Sequence, residues 1–279
     1  MISIIIPTYN EEKVIENCLK SLSGQSYKDF EIIIVDDGSV DSTSTIVKNL
    51  KSRIINLKLF EQVHKGAGSA RNLGAKHSKG KILVFVDADM TFDMDFIKKL
   101  VEPIEKGTTT GTFSNEEYLE NKENVWAGSW NFNKGLPISK MHPDKYPNSQ
   151  KVFRAILKSE FDKVGGFDEK AGYADDWSLS EKLGVQAVVA PGAIFYHKNP
   201  ESLAEVFNQS RWVSKRKYKL GLIGVFVSLV RVSFPVSLIL GIAGYIQTAR
   251  PDYIIFKIVS DFGQFLGILE YSIMGRVKK

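Results

Sequence analysis

The sequence predicts an α/β fold with a mostly parallel central sheet and helices on both faces. Short apolar runs alternate with helical patterns through residues 2–105. This alternation is typical of βαβ units with right-handed crossovers. Acidic residues follow several of the apolar runs, and open α/β sheets bind ligands beyond the carboxyl ends of their strands. We therefore expect the chemistry to lie along one edge of the sheet.

The predicted elements follow one another in a regular order. Strands are expected at residues 2–6, 31–35, 54–60 and 82–86, and helices at residues 11–22, 42–50, 68–77 and 93–105. Residues 108–150 are rich in Gly, Asn, Ser and Pro, which predicts a loop-rich segment around an acceptor. Order returns from residue 151, with a helix at 177–183 and strand-like runs at 186–190 and 193–196.

Composition indicates a folded chain with one large core or two modest ones. The 279 residues are 43% hydrophobic and 25% charged, which excludes a disordered protein. The single cysteine, Cys18, excludes an intrachain disulfide and fits a reducing compartment. Met1 leads directly into an apolar strand, so we expect no signal peptide and a cytoplasmic N-terminal domain.

The C-terminal part predicts membrane association. The net charge is +5, and basic residues cluster at 215–219 before the most apolar stretch, which favours a membrane surface over nucleic acid. Residues 221–246 contain one charge, Arg231, and are long enough to cross a hydrocarbon core of roughly 30 Å. Residues 253–274 are also apolar but carry Lys257, Asp261 and Glu270.

We therefore divide the chain into a catalytic domain at residues 1–215 and membrane-associated helices at residues 216–279. Basic residues flank both apolar segments, which fits a hairpin with both ends in the cytoplasm. In such a hairpin Arg231 would pair with Asp261. Two alternatives stay open: amphipathic helices that lie in the interface or pack a dimer, and a soluble helical subdomain.

Two carboxylates, Asp87 and Asp89, follow the buried run at residues 82–86. Like charges this close need a metal, strong hydrogen bonds or a shared proton. Hard oxygen ligands favour Mg²⁺ or Mn²⁺, usually together with substrate phosphates. The alternative is that Asp89 caps the next helix while Asp87 faces solvent.

Other predicted strand ends carry polar residues as well. Pro7 to Glu12 follow the first strand, with Asn10 as a natural helix cap. Asp37 follows the second strand, where a carboxylate could bind a base or ribose or form an ordinary turn. Small residues at 66–74 open a helix that carries Arg71, and such a helix terminus favours an anion.

Four motifs, at residues 3–12, 36–39, 70–74 and 87–89, together resemble in their order the inverting family 2 glycosyltransferases of the GT-A fold. The resemblance covers roughly residues 1–215. It implies nucleoside contacts from Pro7, Tyr9 and Glu11, a base or ribose contact from Asp37, and a nucleotide contact from Arg71. It also implies that Asp87 lies near the ribose and metal and that Asp89 is the principal metal ligand.

The later half extends the resemblance. Gly165 and Gly166 look like the family's acceptor loop, and Asp175-Asp176 looks like its acidic catalytic motif, although the family usually has Glu-Asp. The implied base is Asp176, which would take the proton of an acceptor hydroxyl as its oxygen attacks the anomeric carbon. The alternative is that both aspartates cap the helix at residues 177–183.

Two further matches lie near the end of the catalytic domain. His197 matches a histidine that completes the metal site or touches the diphosphate in many GT-A enzymes. Residues 208–212 resemble the Gln-x-x-Arg-Trp motif of membrane-bound members, with Asn208 in place of Gln. By that resemblance Arg211 would hold the diphosphate and Trp212 would form a wall of the acceptor site. The alternative is a basic helix face at the bilayer.

The sequence thus predicts a membrane-attached, metal-dependent, inverting glycosyltransferase. Its donor would be a UDP- or GDP-sugar, and its acceptor a hydroxyl of a lipid-linked glycan or saccharide at the cytoplasmic face of the membrane. A polyprenyl-phosphate sugar synthase is the second enzyme class, although its anionic acceptor would need no base. A different kind of protein, a non-catalytic nucleotide-sugar-binding module, is the remaining alternative, and it would predict a damaged acidic or metal motif. No nucleic acid partner is expected.

Overall fold

The computed structural model describes residues 1–169, 175–216 and 218–274, apart from the side chains of Asp175 and Met274. The strands are β1 (Ile2–Thr8), β2 (Phe30–Asp36), β3 (Leu57–Glu61), β4 (Ile82–Phe85), β5 (Met90–Phe92), β6 (Gly111–Phe113), β7 (Glu117–Leu119), β8 (Ser149–Gln150), β9 (Ala155–Leu157), β10 (Ala187–Val189) and β11 (Phe195–His197).

The helices are α1 (Ile15–Ser23), α2 (Thr43–Leu50), α3 (Ala67–Lys76), α4 (Phe96–Glu105), α5 (Val125–Asn133), α6 (Lys158–Lys163), α7 (Asp175–Leu183), α8 (Leu203–Val213), α9 (Gly221–Arg231), α10 (Phe234–Thr248) and α11 (Asp252–Met274). They and the strands form two compact units. The first unit comprises Met1–Tyr118 and Asp144–His197, and the second comprises Leu119–Pro143 and Lys198–Lys279.

A mixed sheet is the centre of the first unit. Within the described residues its strand order is β3-β2-β1-β4-β9-β6-β10-β8. The neighbours β3-β2, β2-β1, β1-β4 and β6-β10 are parallel, whereas β9 runs antiparallel between β4 and β6. The parallel strands thus bring the ends of β1, β2 and β4 to one edge. A smaller sheet pairs β5, β11 and β7.

Successive side chains of a strand point to opposite faces of the sheet. Both faces of the large sheet are buried, as is usual where strands are parallel. Ile4 and Ile6 of β1 point into a core that includes Leu19 of α1 and Phe96 of α4. Ile5 lies in the core on the opposite face, together with residues of α3. Helix α3 approaches β1 closely, since a Cβ at Gly74 would lie 2.5 Å from the Ile5 Cγ2 atom.

The second unit is helical where the structure describes it. Helices α8 and α11 cross at close range, because a Cβ at Gly263 would lie 2.5 Å from the Phe207 carbonyl oxygen. The Ser210 and Ser260 hydroxyls are hydrogen-bonded at 2.9 Å across this contact. Helix α8 and residues 119–143 belong to the same compact unit as the C-terminal helices; the functional boundary at residue 215 stays a prediction.

The apolar C-terminal stretch is broken into two helices. Within the described residues no single helix is long and apolar enough to span a membrane. Helices α9 and α10 together are long and apolar enough, although their axes are bent by 55° at the break between them. The break comes just before Pro235, which lies in the first turn of α10. Lys217 and residues 275–279, counted among the flanking charges above, lie outside the described residues.

The expected pair between Arg231 and Asp261 is wrong. The buried Asp261 carboxylate instead accepts hydrogen bonds from Lys257 Nζ at 2.8 Å and Ser237 Oγ at 2.7 Å. Lys257 stands one turn before Asp261 on the same helix, so a local partner satisfies the carboxylate that the hairpin hypothesis had assigned to Arg231.

Candidate active site

The turns after β1 and β2 hold each other through side-chain hydrogen bonds. The Asn10 backbone N–H donates to Ser39 Oγ at 2.9 Å, and the Val40 N–H donates to Asn10 Oδ1 at 2.9 Å. Asn10 takes a left-handed backbone conformation with φ of 58°, which asparagine tolerates better than most residues. The half-buried Pro7, Tyr9 and Glu11 therefore stand on a fixed turn.

Asp37 is buried and organises the loop that leads into α3. Its carboxylate accepts hydrogen bonds from Gln62 Nε2 at 2.6 Å and from the backbone N–H groups of Lys65 and Gly66, both at 2.8 Å. His64 Nδ1 lies 2.9 Å from the same carboxylate, and its ring stacks on Tyr9 with centroids 4.3 Å apart. The nucleoside role of Asp37 stays a prediction, and sequence reasoning missed His64 as its neighbour.

Arg71 joins two carboxylates at the sheet edge. Its Nη2 atom lies 2.9 Å from Asp87 Oδ1, and its Nη1 atom lies 2.7 Å from Asp176 Oδ1. The guanidinium is buried and also stacks over the Phe167 ring, with its central carbon 5.6 Å from the centroid. One cation thus connects the first aspartate of the predicted metal motif with the predicted catalytic base.

A second arginine, Arg154, also binds Asp87. Its Nη1 atom lies 3.2 Å from Asp87 Oδ2, so each carboxylate oxygen faces one guanidinium. Burial raises the pKa of Asp87, but Arg154 and Arg71 outweigh it and hold the pKa well below its usual range. Sequence reasoning missed Arg154, because it precedes a three-residue strand, β9, that carries no periodic signal.

Asp89 and His197 form a separate group on the same edge. His197 Nε2 lies 2.9 Å from Asp89 Oδ2, and His197 Nδ1 lies 3.1 Å from Glu117 Oε1. Burial lowers the pKa of His197, but the two carboxylates outweigh this effect and raise it to about 10. The two carboxylates thus favour the protonated ring in this arrangement, whereas a cation bound beside Asp89 would favour the neutral ring.

The expected ligand set of Asp87, Asp89 and His197 does not form a metal centre by itself. No group of three His, Cys, Asp or Glu side chains among the described residues has metal-binding geometry. In this structure Asp87 is paired with Arg71 and Arg154, and His197 lies between Asp89 and Glu117, so the three-ligand set stays a prediction.

One ligand atom does fit a divalent cation. Asp89 Oδ1 is buried and, among the described residues, has no hydrogen-bond partner. Buried carboxylate oxygens normally have partners, and Mg²⁺ or Mn²⁺ is commonly held by one or two carboxylates plus substrate phosphates. Asp89 is thus the residue here that suits the predicted metal.

The glycine-rich turn is fixed by the helix that carries Arg71. Asn72 Oδ1 accepts a hydrogen bond from the Phe167 N–H at 2.9 Å, and Asn72 Nδ2 donates to the Phe167 carbonyl at 3.0 Å. Gly165 and Gly166 both have positive φ, at 70° and 72°, and a Cβ on Gly166 would overlap Asn72 Oδ1. Glycine is therefore favoured at both positions by the backbone conformation, and at Gly166 also by the lack of space.

The remaining predicted site residues lie in the second unit or outside the residues that the structure describes. Residues 170–174 and the Asp175 side chain, which belong to the predicted catalytic motif, lie outside the described residues. Arg211 and Trp212 lie in the second unit on α8, where Arg211 Nε donates to Glu270 Oε1 at 2.7 Å and Lys215 binds the same carboxylate at 2.7 Å. Their diphosphate and acceptor roles stay predictions.

Sequence comparison relates the chain to known enzymes. The family model "Glycosyl transferase family 2" matches residues 3–165. The uncharacterized glycosyltransferase EpsJ of Bacillus subtilis is 29% identical over 219 residues, which make up 74% of this chain and 63% of EpsJ. The chain thus spans less than two-thirds of the length of this curated relative.

Two solved structures share the fold. TarS residues 1–349 of S. aureus, in complex with UDP-GlcNAc, matches with a TM-score of 0.58 at 17% identity over 99% of this chain and 93% of that chain. The mannosyltransferase PcManGT of Pyrobaculum calidifontis, in complex with GDP-Man and Mn²⁺, matches with a TM-score of 0.61 at 18% identity over 99% and 88%. The predicted GT-A fold is confirmed.

Proposed function

The chain belongs to glycosyl transferase family 2, and we propose that it is an inverting glycosyltransferase that uses a UDP- or GDP-sugar. Its acceptor is a hydroxyl group of a lipid-linked glycan at the cytoplasmic face of a membrane. The observation that carries this proposal is the position of Arg71, which holds Asp87 at 2.9 Å and Asp176 at 2.7 Å.

Asp176 is the proposed general base. It stands in the first turn of α7, with more than a third of its side chain exposed, so an acceptor hydroxyl can reach it. An inverting transfer needs a carboxylate that removes the hydroxyl proton while the oxygen attacks the anomeric carbon. This requirement favours a hydroxyl acceptor, since a phosphate acceptor is already anionic.

Donor binding is assigned to the edge formed by β1, β2 and β4. Tyr9, stacked on His64, offers an aromatic surface to a nucleoside. Arg71 and Arg154 supply positive charge beside Asp87, where a diphosphate would be attracted. TarS was solved with UDP-GlcNAc and PcManGT with GDP-Man, which supports both donor bases as candidates.

Asp89 is the proposed metal ligand, through the oxygen that has no hydrogen-bond partner among the described residues. A bound Mg²⁺ or Mn²⁺ would supply positive charge to the departing diphosphate. His197, held between Asp89 and Glu117, fixes the orientation of the Asp89 carboxylate. The Mn²⁺ in the PcManGT complex supports the choice of metal.

Membrane attachment is assigned to α9 and α10. Together they pass the test for a membrane segment, although they are bent by 55°. Large apolar side chains on both helices are exposed, including Leu222, Phe226 and Ile246. An exposed apolar surface of this kind marks a contact with lipid or protein.

A donor panel tests the proposed function. The purified chain is incubated with UDP- and GDP-sugars and Mn²⁺, and the released nucleoside diphosphate is measured with and without membrane extract as acceptor source. We expect one donor to be hydrolysed slowly alone and much faster with acceptor. Absence of turnover with every donor, although nucleotides bind, would instead favour the non-catalytic binding module.

A further inference from the structure

The second unit contains a cleft of about 550 Å³ beside the bend between α9 and α10. Its lining combines two cations, several neutral polar groups and apolar side chains. The lining residues that matter here are Arg231, Lys257, Asn133, Gln247, Leu240 and Ala243. None of them belongs to the candidate active site described above.

Arg231 is the residue of this cleft that indicates an anionic ligand. It is the one charged residue between positions 221 and 246, and its side chain is exposed. Among the described residues no hydrogen bond or ion pair involves its guanidinium, and Asp261 is occupied by Lys257 and Ser237. A cation within an apolar segment is costly and usually has an anionic partner or a functional role.

The rest of the cleft suits an anion that carries a hydrocarbon chain. Among the described residues Lys257 gives its one hydrogen bond to Asp261, and an ammonium group has three donors, so two are left for a ligand. Asn133 and Gln247 add amide donors, whereas Leu240 and Ala243 provide an apolar wall. From α11 the charged residue that lines the cleft with Arg231 is Lys257, whose own partner is Asp261.

The surrounding helices indicate where such an anion would come from. Helix α9 has no buried residue, and its exposed side chains include Leu222, Ile223, Phe226, Val227 and Val230. Helix α10 exposes Phe234, Ile239, Ile242 and Ile246. This inference rests on the membrane attachment proposed above: with α9 and α10 against a bilayer, membrane lipids can reach the cleft beside their bend.

We propose that this cleft binds the phosphate head group of an anionic membrane phospholipid, with Arg231 as the principal contact. The Arg231 guanidinium forms charge-assisted hydrogen bonds to the phosphate oxygens, Lys257 adds a second cation, and Leu240 and Ala243 contact the first carbons of the lipid. The site is independent of sugar transfer, so it is tested without that reaction.

The test measures binding of short-chain phosphatidic acid, below its micelle concentration, to the full chain by calorimetry. We expect saturable binding that Arg231→Gln weakens at least about tenfold, because a hydrogen bond to a charged group is lost. Lys219→Gln, which removes an exposed charge from the neighbouring segment, should change affinity less than about twofold. Inorganic phosphate should bind far more weakly, since it lacks the apolar part.

A second variant separates the cleft from diffuse attraction to charge. Ala243→Phe keeps the net charge but fills the cleft, and it should abolish binding while circular dichroism and thermal unfolding stay unchanged. Flotation with phosphatidylcholine vesicles, with and without phosphatidylglycerol, should rank the membrane-bound fraction of the variants in the same order as their lipid affinities. Equal losses for Arg231→Gln and Lys219→Gln, or full binding by a folded Ala243→Phe variant, would overturn the proposal.

Discussion

Replacing Arg71 by methionine is the sharpest structural test of the site. The buried guanidinium donates to Asp87 at 2.9 Å and to Asp176 at 2.7 Å. Each such charge-assisted hydrogen bond contributes about 1.5–3 kcal/mol. The two carboxylates are 34% and 38% exposed, so water replaces part of the lost interaction. We therefore expect the free energy of unfolding to fall by about 3 kcal/mol, the lower end of the sum.

The assay is urea unfolding at neutral pH, followed by circular dichroism, with a thermal scan beside it. A loss of this size should lower the midpoint temperature by about 6–12 °C. The midpoint temperature of Arg71→Lys should lie between those of the wild type and Arg71→Met, because an ammonium group can hold one carboxylate well but does not present the planar fork of a guanidinium. Arg53→Met, at an exposed arginine away from the site, should unfold like the wild type. A stable Arg71→Met variant, within about 0.5 kcal/mol of the wild type, would refute the bridging role.

Three further predictions concern stability, the acceptor turn and the metal. Glu31 is buried against Lys58, Ser3 and the Lys79 N–H; burial raises its pKa, but these partners outweigh burial and lower it. Glu31→Gln should therefore destabilise the fold by about 2 kcal/mol at neutral pH. In urea titrations at a series of pH values, this difference should shrink as the pH falls below the ordinary value of 4.5, and a constant difference would contradict it. Gly165→Ala and Gly166→Ala should each destabilise the fold by about 1–2 kcal/mol, because both positions have positive φ. Gly166→Ala should destabilise it more, because only at Gly166 would the added Cβ collide with Asn72. Equal midpoints in urea for the two variants would exclude that contact. Asp89→Asn should abolish tight Mn²⁺ binding in the presence of nucleoside diphosphate, measured by electron paramagnetic resonance, and unchanged binding would remove Asp89 as the ligand.

The part of the fold that could be predicted is the part with long, regular signals. The apolar runs of β1, β2 and β4 and the helices between them lie where the sequence placed them, within a few residues. Strands of two or three residues, such as β5, β6 and β9, carry no periodicity and depend on distant partners for their pairing. The loop-rich expectation for residues 108–150 therefore missed β6, β7, β8 and α5.

The candidate site was predictable where a motif marks a strand end. Asp87, which follows β4, lies within hydrogen-bond distance of Arg71 on α3, and Arg71 also reaches Asp176 on α7; the roles assigned to these three residues stay predictions. Arg154 could not be found in this way, since an antiparallel strand from a later part of the chain brings it to Asp87. The pairing of Asp261 was also misjudged, because the sequence does not reveal that Lys257 one turn away competes with Arg231.

The central claim is that Asp176 removes the acceptor proton, and one kinetic comparison tests it most directly. Asp176→Asn keeps the size of the side chain and leaves Arg71 a hydrogen-bond acceptor, but it removes the base. We expect transfer to fall by roughly 10²–10⁴-fold, while nucleotide-sugar affinity, measured by calorimetry, stays within about threefold of the wild type. Wild-type turnover by this variant, with donor binding intact, would contradict the proposed catalytic role.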